Sequence, residues 1–199
     1  MDDILRTVEA SAQGYVTEKK SKFISFVFPV KTVEEAMEKV DLCRKKYYDA
    51  RHVCWAYMLG WEHDRFRSND DGEPSGTAGR PILGQINSHE LTDVLVVVIR
   101  YFGGTLLGTS GLIKAYKAAA AEAIAQATIV EKTVDDCLEL SFEYPQLNEV
   151  MRLLKQFDEV TWQQLFGESC RMQLQIRRSL TPQLVEKLSA IYGVNVKKS

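Results

Sequence analysis

Residues 93–117, DVLVVVIRYFGGTLLGTSGLIKAYK, decide how this chain folds. Val94 to Ile99 is rich in β-branched residues, too short for a helix and stopped by a turn signal, so it predicts a buried strand. From Gly108 the period changes. Leu112, Tyr116, Ala119, Ala123 and Ala127 recur at three- and four-residue steps and share one stripe of a helix, with Lys114 and Lys117 off it. Thr109 or Ser110 is the expected cap of that helix. Between strand and helix stand Gly103, Gly104, Gly108 and Gly111, which allow unusual backbone angles and close approach. A strand, a glycine turn and a helix start together describe an anion cradle, because free N–H groups and the helix dipole converge there. Gly103 to Gly108 has the spacing of a phosphate-binding loop, but Thr109 stands where a gripping lysine belongs. A purely structural use of these glycines, for turn and packing, therefore stands beside the cradle.

Upstream, Lys22 to Val30 predicts a strand, and Thr32 with Glu35 forms a capping box before a helix carrying Ala36, Val40, Cys43 and Tyr47 on its inner stripe. Gly14 is expected to turn the chain before that strand. Val53 to Leu59 is apolar on both faces and belongs inside a covered sheet. Trp61 to Ser75 is expected to be a polar, turn-forming segment, and Thr77 to Asn87 a short helix weakened by Gly79, Pro81 and Gly84. This first domain spans residues 1–130. In residues 131–199, alternation around Leu138, Leu140 and Phe142 and again around Met172, Leu174 and Ile176 predicts half-buried strands. Pro145 starts one helix and Thr181-Pro182 caps another. The order strand, helix, strand, strand, helix, strand is the ferredoxin-like βαββαβ arrangement.

At 199 residues and 45% hydrophobic content the chain can bury a core in one large or two small domains. No run approaches the roughly 20 apolar residues of a membrane span, and the acidic start MDDILRTVEA is unlike a signal peptide, so no membrane and a cytoplasmic location are expected. A formal charge of −2 supplies no global pull toward nucleic acid. Lys19, Lys20, Lys22, Arg44, Lys45, Lys46 and Arg51 would supply a local one if they met on one face; the alternative is an ordinary solvated surface. Cys43, Cys54, Cys137 and Cys170 form no C-x-x-C pair and are all expected to be buried thiols. His52, His63 and His89 lack the spacing of a helical zinc site, so no resident metal is expected, and the absence of a G-x-S-x-G elbow speaks separately against a nucleophilic serine.

Two stretches carry candidate chemistry. The loop RFRSNDDGEPSGTAGR, Arg65 to Arg80, gathers Asp70, Asp71, Glu73, Ser75 and Thr77. Asp71 and Glu73 there suit Mg²⁺ ligation or, for Glu73, general-base work, and equally suit turn formation and ion pairing with arginine. In Arg100-Tyr101-Phe102, strand alternation puts Arg100 and Phe102 on one face and Tyr101 on the other. Arg100 with Lys114 would then bind phosphate while an aromatic stacks on a base. In the alternative, the aromatics fill core and Arg100 pairs with an acid from the Asp71 to Glu73 loop.

RYFGGTLLGTSGLIKAY, with DDGEPSGTAGRPIL upstream and ARHVCWAY before that, closely resembles the IMPACT/YigZ family of translation-associated proteins. The resemblance implies an α+β protein of two domains: an N-terminal ribosomal protein S5 domain 2-like βαβ fold over residues 1–130, and a ferredoxin-like C-terminal domain over residues 131–199. It maps the family motifs onto His52, Asp71, Gly72, Glu73, Pro74, Gly76 and Thr77, and onto Arg100, Tyr101, Gly103, Gly104, Gly108 and Gly111. Taken with the cradle, the resemblance leads to an expected function as a non-catalytic translation-associated regulator that binds RNA or the ribosome, with Arg100, Lys114 and the glycine backbone taking the phosphate contacts. The alternatives are a Mg²⁺-dependent enzyme acting on a phosphorylated metabolite or nucleotide through Asp71 and Glu73, and a scaffold for a protein partner. Mg²⁺ enters only under the first of these.

Overall fold

The computed structural model describes residues 3–165 and 169–198. They form two compact units, one of Leu5–Lys132 and one that starts at Thr133 and takes in the N-terminal residues through Ile4. The first contains β1 (Ile4–Val8), β2 (Ala12–Glu18), β3 (Ser21–Pro29), α1 (Val33–Lys46), β4 (His52–Leu59), β5 (Arg65–Asn69), α2 (Gly79–Ser88), β6 (Val94–Tyr101), α3 (Gly108–Ala125) and β7 (Ile129–Thr133). β1 pairs with β7, and the others build a five-stranded sheet in the order β2-β3-β6-β4-β5.

β6 is the middle strand and explains its own composition. Val94, Val96 and Val98 enter the core under α2 and α3, while Leu95, Val97 and Ile99 enter the core under α1. Both faces are covered, so the strand reads as a continuous apolar run. β4 divides in the same way, with Cys54, Ala56 and Met58 on one face and Val53, Trp55, Tyr57 and Leu59 on the other. β3 and β4 are each antiparallel to β6 and hence parallel to each other. The β3-α1-β4 crossover is therefore a βαβ unit split by β6.

The Thr32 cap of α1 forms, with Thr32 Oγ1 accepting from the Glu35 N–H at 3.1 Å, while Glu35 Oε2 reaches back one residue past the cap and accepts from the Lys31 N–H at 2.7 Å. Three local expectations need correction. Gly14 lies inside β2, where a Cβ would stand 2.6 Å from the Ala123 nitrogen of α3, so it serves strand-to-helix contact and not a turn. The polar segment after Trp61 contains β5, an edge strand whose first three residues are exposed; it shows no apolar pattern because an edge has little to bury. α3 starts at Gly108 after Leu107 and has no side-chain cap, so Thr109 and Ser110 lie within its first turn.

The second unit holds β8 (Asp135–Phe142), α4 (Leu147–Leu154), β9 (Val160–Leu165), β10 (Cys170–Arg177), α5 (Thr181–Ser189) and β11 (Asn195–Lys198). Its antiparallel sheet runs β11-β8-β10-β9, the ferredoxin-like order. Leu138, Leu140, Phe142, Met172, Leu174 and Ile176 face α4 and α5 across one core. Two corrections apply here. Thr181 is the first residue of α5, not its cap, which is Leu180. Cys137 is exposed, because the alternation that buries Leu138 turns its neighbour outward; Cys43, Cys54 and Cys170 are buried. Among the described residues, no helix is long and apolar enough to cross a membrane.

Candidate functional site

Antiparallel pairing places the start of β4 beside the end of β6, so His52 stands opposite Arg100. The chain leaves β6 into the glycine turn and enters α3, while the loop after β5 folds back over the same end of the sheet. Together they enclose a cleft of about 500 Å³, lined among others by Arg51, His52, Glu73, Arg100, Phe102 and Leu107. Gly72, Pro74, Leu106, Gly108, Thr109 and Leu112 complete the walls. Two sequence-distant motifs thus meet in one place.

The loop is held from within. Asp70 Oδ1 accepts from the N–H groups of Ala78 and Gly79 at 3.0 and 2.7 Å, and Oδ2 from Gly76 at 2.8 Å. Burial pushes the Asp70 pKa up, but these amides and Arg80 outweigh it and leave the carboxyl below its ordinary range. Asp71 pairs with Arg44 at 2.7 Å and accepts from the Val53 N–H at 2.6 Å, tying the loop to α1 and β4. Thr77 Oγ donates to the Pro74 carbonyl at 2.6 Å. Asp71, Gly76 and Thr77 accordingly shape the loop and do not line the cleft.

Glu73 points inward and anchors the cleft floor. Its Oε1 accepts from Arg100 Nη1 at 2.7 Å and from the Tyr116 hydroxyl at 2.8 Å, and His52 Nε2 lies 3.9 Å away. Burial first, then the neighbouring Cys54 and Glu73, push the Tyr116 hydroxyl far above its usual range, so it stays a donor. Arg100 as a phosphate ligand is corrected: its side chain is only 7% exposed and is committed to Glu73 because β6 aims it at the loop. Its guanidinium also stacks 5.7 Å from the ring centres of Phe23 and Phe102. Tyr101 faces away, donating its hydroxyl to Asp49 at 2.7 Å, which raises its pKa to about 12. Lys114 is exposed on α3 and is not part of the cleft lining.

The glycine turn is half closed and half open. Gly103 donates its N–H to Ser21 Oγ at 3.2 Å, and a Cβ there would sit 2.0 Å from the Lys20 carbonyl carbon. Its amide is therefore not available to a ligand, contrary to the expected cradle. Beyond it, a Cβ added at Gly104 or Gly108 would meet nothing within 4 Å, and Gly108, Thr109 and Ser110 are exposed. With no capping side chain, the first-turn amides of α3 keep their free N–H groups. The open, uncapped part of the turn thus begins at Gly108, past the first glycine pair.

Phe102 is 47% exposed and Leu106 84%, unusual values for large apolar groups at a cleft mouth. Sequence reasoning missed Tyr116 as a functional neighbour because it occupies the buried stripe of α3; a hydroxyl amid alanines was the available signal. The carboxylates of the Mg²⁺ alternative are engaged by protein donors, Asp71 by Arg44 and Val53, Glu73 by Arg100 and Tyr116. Among the described residues, no three His, Cys, Asp or Glu side chains converge as a metal site.

Residues 19–124 match the Impact N-terminal domain, a span that contains every wall of this cleft. IMPACT family member YigZ of Escherichia coli is 42% identical over 142 residues, covering 70% of this chain and 70% of the relative. IMPACT family member YvyE of Bacillus subtilis is 36% identical over 150 residues, covering 75% and 69%. The crystal structure of a hypothetical protein shares 30% identity with a TM-score of 0.75, over 98% of this chain and 97% of that one. The two loops that close the cleft are the same stretches that carry the sequence resemblance, and with the domain match and these relatives the chain belongs to the IMPACT family.

Proposed function

We propose that this chain is a translation-associated regulator that binds RNA, free or within the ribosome, by receiving one nucleotide in the cleft. The phosphate sits against the first turn of α3, with Arg51 at the rim, and the base lies against Phe102 and the leucine walls. The observation that carries this is the uncapped start of α3 opening into a mostly apolar cleft with an exposed aromatic at its mouth. A helix N-terminus attracts phosphate, and an aromatic face takes any unstacked base. The volume falls in the range of small-ligand sites. Translation is the context implied by the family to which the chain belongs.

Fluorescence anisotropy with short single-stranded RNA tests it, comparing wild type with Thr109→Glu and Arg51→Glu. Thr109→Glu places a carboxylate where the phosphate belongs, while a negative charge there favours the helix, so folding is preserved. Each variant is expected to weaken binding about tenfold or more, equivalent to roughly 1.4 kcal/mol, and wild-type affinity should fall as salt rises. Equal binding by all three proteins removes the cleft from the account.

A further inference from the structure

The cleft floor carries information about which base it would accept. His52 Nδ1 lies 2.8 Å from the Asp71 carbonyl oxygen. A carbonyl only accepts, so Nδ1 carries the proton, and in the neutral ring Nε2 is left as an acceptor. Nε2 has no hydrogen-bond partner among the described residues, since Glu73 Oε1 at 3.9 Å is beyond bonding distance. Glu73 Oε1 already receives Arg100 and Tyr116, while among the described residues Oε2 receives nothing. Both residues line the cleft.

The remaining donors of the lining, Arg51 and the first turn of α3, lie where the phosphate is placed, and Arg100 is committed below the floor. Arg100 gives Nη1 to Glu73 and Nη2 to Ser21, and its unpartnered Nε is sealed from solvent. The floor therefore presents two acceptors, His52 Nε2 and Glu73 Oε2, with apolar walls around them.

We infer that the base taken into this cleft is guanine, an inference that rests on the nucleotide-binding role proposed above. On its Watson–Crick edge guanine offers two adjacent donors, N1–H and the N2 amino group. Adenine offers one donor beside one acceptor, cytosine one donor beside two acceptors, and uracil one donor between two acceptors. Every base but guanine would turn a lone pair toward a lone pair, and a buried acceptor left unpaired costs binding. Phe102 stacks on the purine face, and the phosphate reaches the start of α3. The same edge belongs to guanosine monophosphate and to a guanine unstacked from an RNA strand.

Calorimetric titration of the full chain with GMP, IMP, AMP, CMP and UMP, and anisotropy with oligouridine carrying a single central G, A or C, test the inference. GMP is expected to bind at least about tenfold more tightly than AMP, CMP or UMP, with IMP, which lacks the N2 amino group, weaker than GMP. The guanine-containing oligomer should lead its series by a similar factor. His52→Phe, which keeps the ring but has no acceptor, should lose the preference, with circular dichroism checking its fold. Because the base series is read on wild-type protein, a misfolded variant leaves the test intact. Binding without preference among bases overturns the guanine assignment and leaves nucleotide binding standing. No binding to any nucleotide or oligomer overturns both, and GMP binding without oligomer binding assigns the site to the free nucleotide and removes RNA.

Discussion

Arg100 and Glu73, 27 residues apart, meet at 2.7 Å with side chains 7% and 4% exposed, and this buried pair joins the central strand to the signature loop. The arrangement commits the Arg100 guanidinium to Glu73 as a structural cation, so the proposed phosphate contacts fall to the rim and to the start of α3.

Removing one partner of that pair strands the other. Glu73→Ala leaves the Arg100 guanidinium buried without its counter-ion, with Nε already unpartnered, and should cost about 3–5 kcal/mol. Arg44→Ala breaks a pair in which Arg44 is 43% exposed, so its loss should cost less than about 1 kcal/mol. Urea unfolding of both variants checks the ranking, and similar midpoints for the two would contradict the burial argument.

The two halves of the glycine turn should respond differently to a methyl group. At Gly103 the added Cβ meets the Lys20 backbone at 2.0 Å, and neither chain can move without parting β3 from β6. Gly104 has φ of +88° and open space around it, so alanine there costs only the left-handed penalty, about 1–2 kcal/mol. Gly103→Ala is expected to destabilise more than Gly104→Ala, by about 1 kcal/mol or more from overpacking. Thermal melts of the two variants decide it.

Asp70 makes loop stability depend on acid. Its folded pKa is depressed, so its contribution is fully present above the unfolded carboxylate value of about 3.9 and is lost as pH falls toward the folded value. Asp70→Asn should be less stable than wild type at neutral pH and show a smaller loss as pH falls below about 4. Denaturation midpoints measured as the solution is acidified below that value are the test; parallel curves would mean that Asp70 is not the group being titrated.

Much of this architecture can be read along the chain because its causes are local. The Thr32 cap of α1, the continuous apolar run of β6 and the alternation in β8 and β10 each follow from neighbours a few residues apart. The glycine turn is legible as a turn, but which amides stay free depends on Ser21, 82 residues away. Arg100 finds its acid, one of the two fates open to it, because β4 and β6 are adjacent, a long-range fact with no signature in Arg-Tyr-Phe. Gly14 reads as a turn for the same reason, since only the crossing of α3 over β2 explains its place in a strand.

Cysteine reactivity tests the register of the second sheet. Strict alternation in β8 buries Leu138 and Leu140 and puts Cys137 on the solvent face with Glu139, opposite Gln175 of β10. Burial raises the Cys43 thiol to about 11 and holds Cys54 still higher, so neither offers thiolate near neutral pH, and Cys170 is packed in the second core. In the folded protein, one of the four thiols should react rapidly with a disulfide reagent and the other three only on unfolding. Cys137→Ser should abolish the fast phase and leave the slow one. A slip of β8 by one residue would reverse the pattern, exposing Leu138 and hiding Cys137, so a folded protein without a fast thiol would refute the register as well as the exposure.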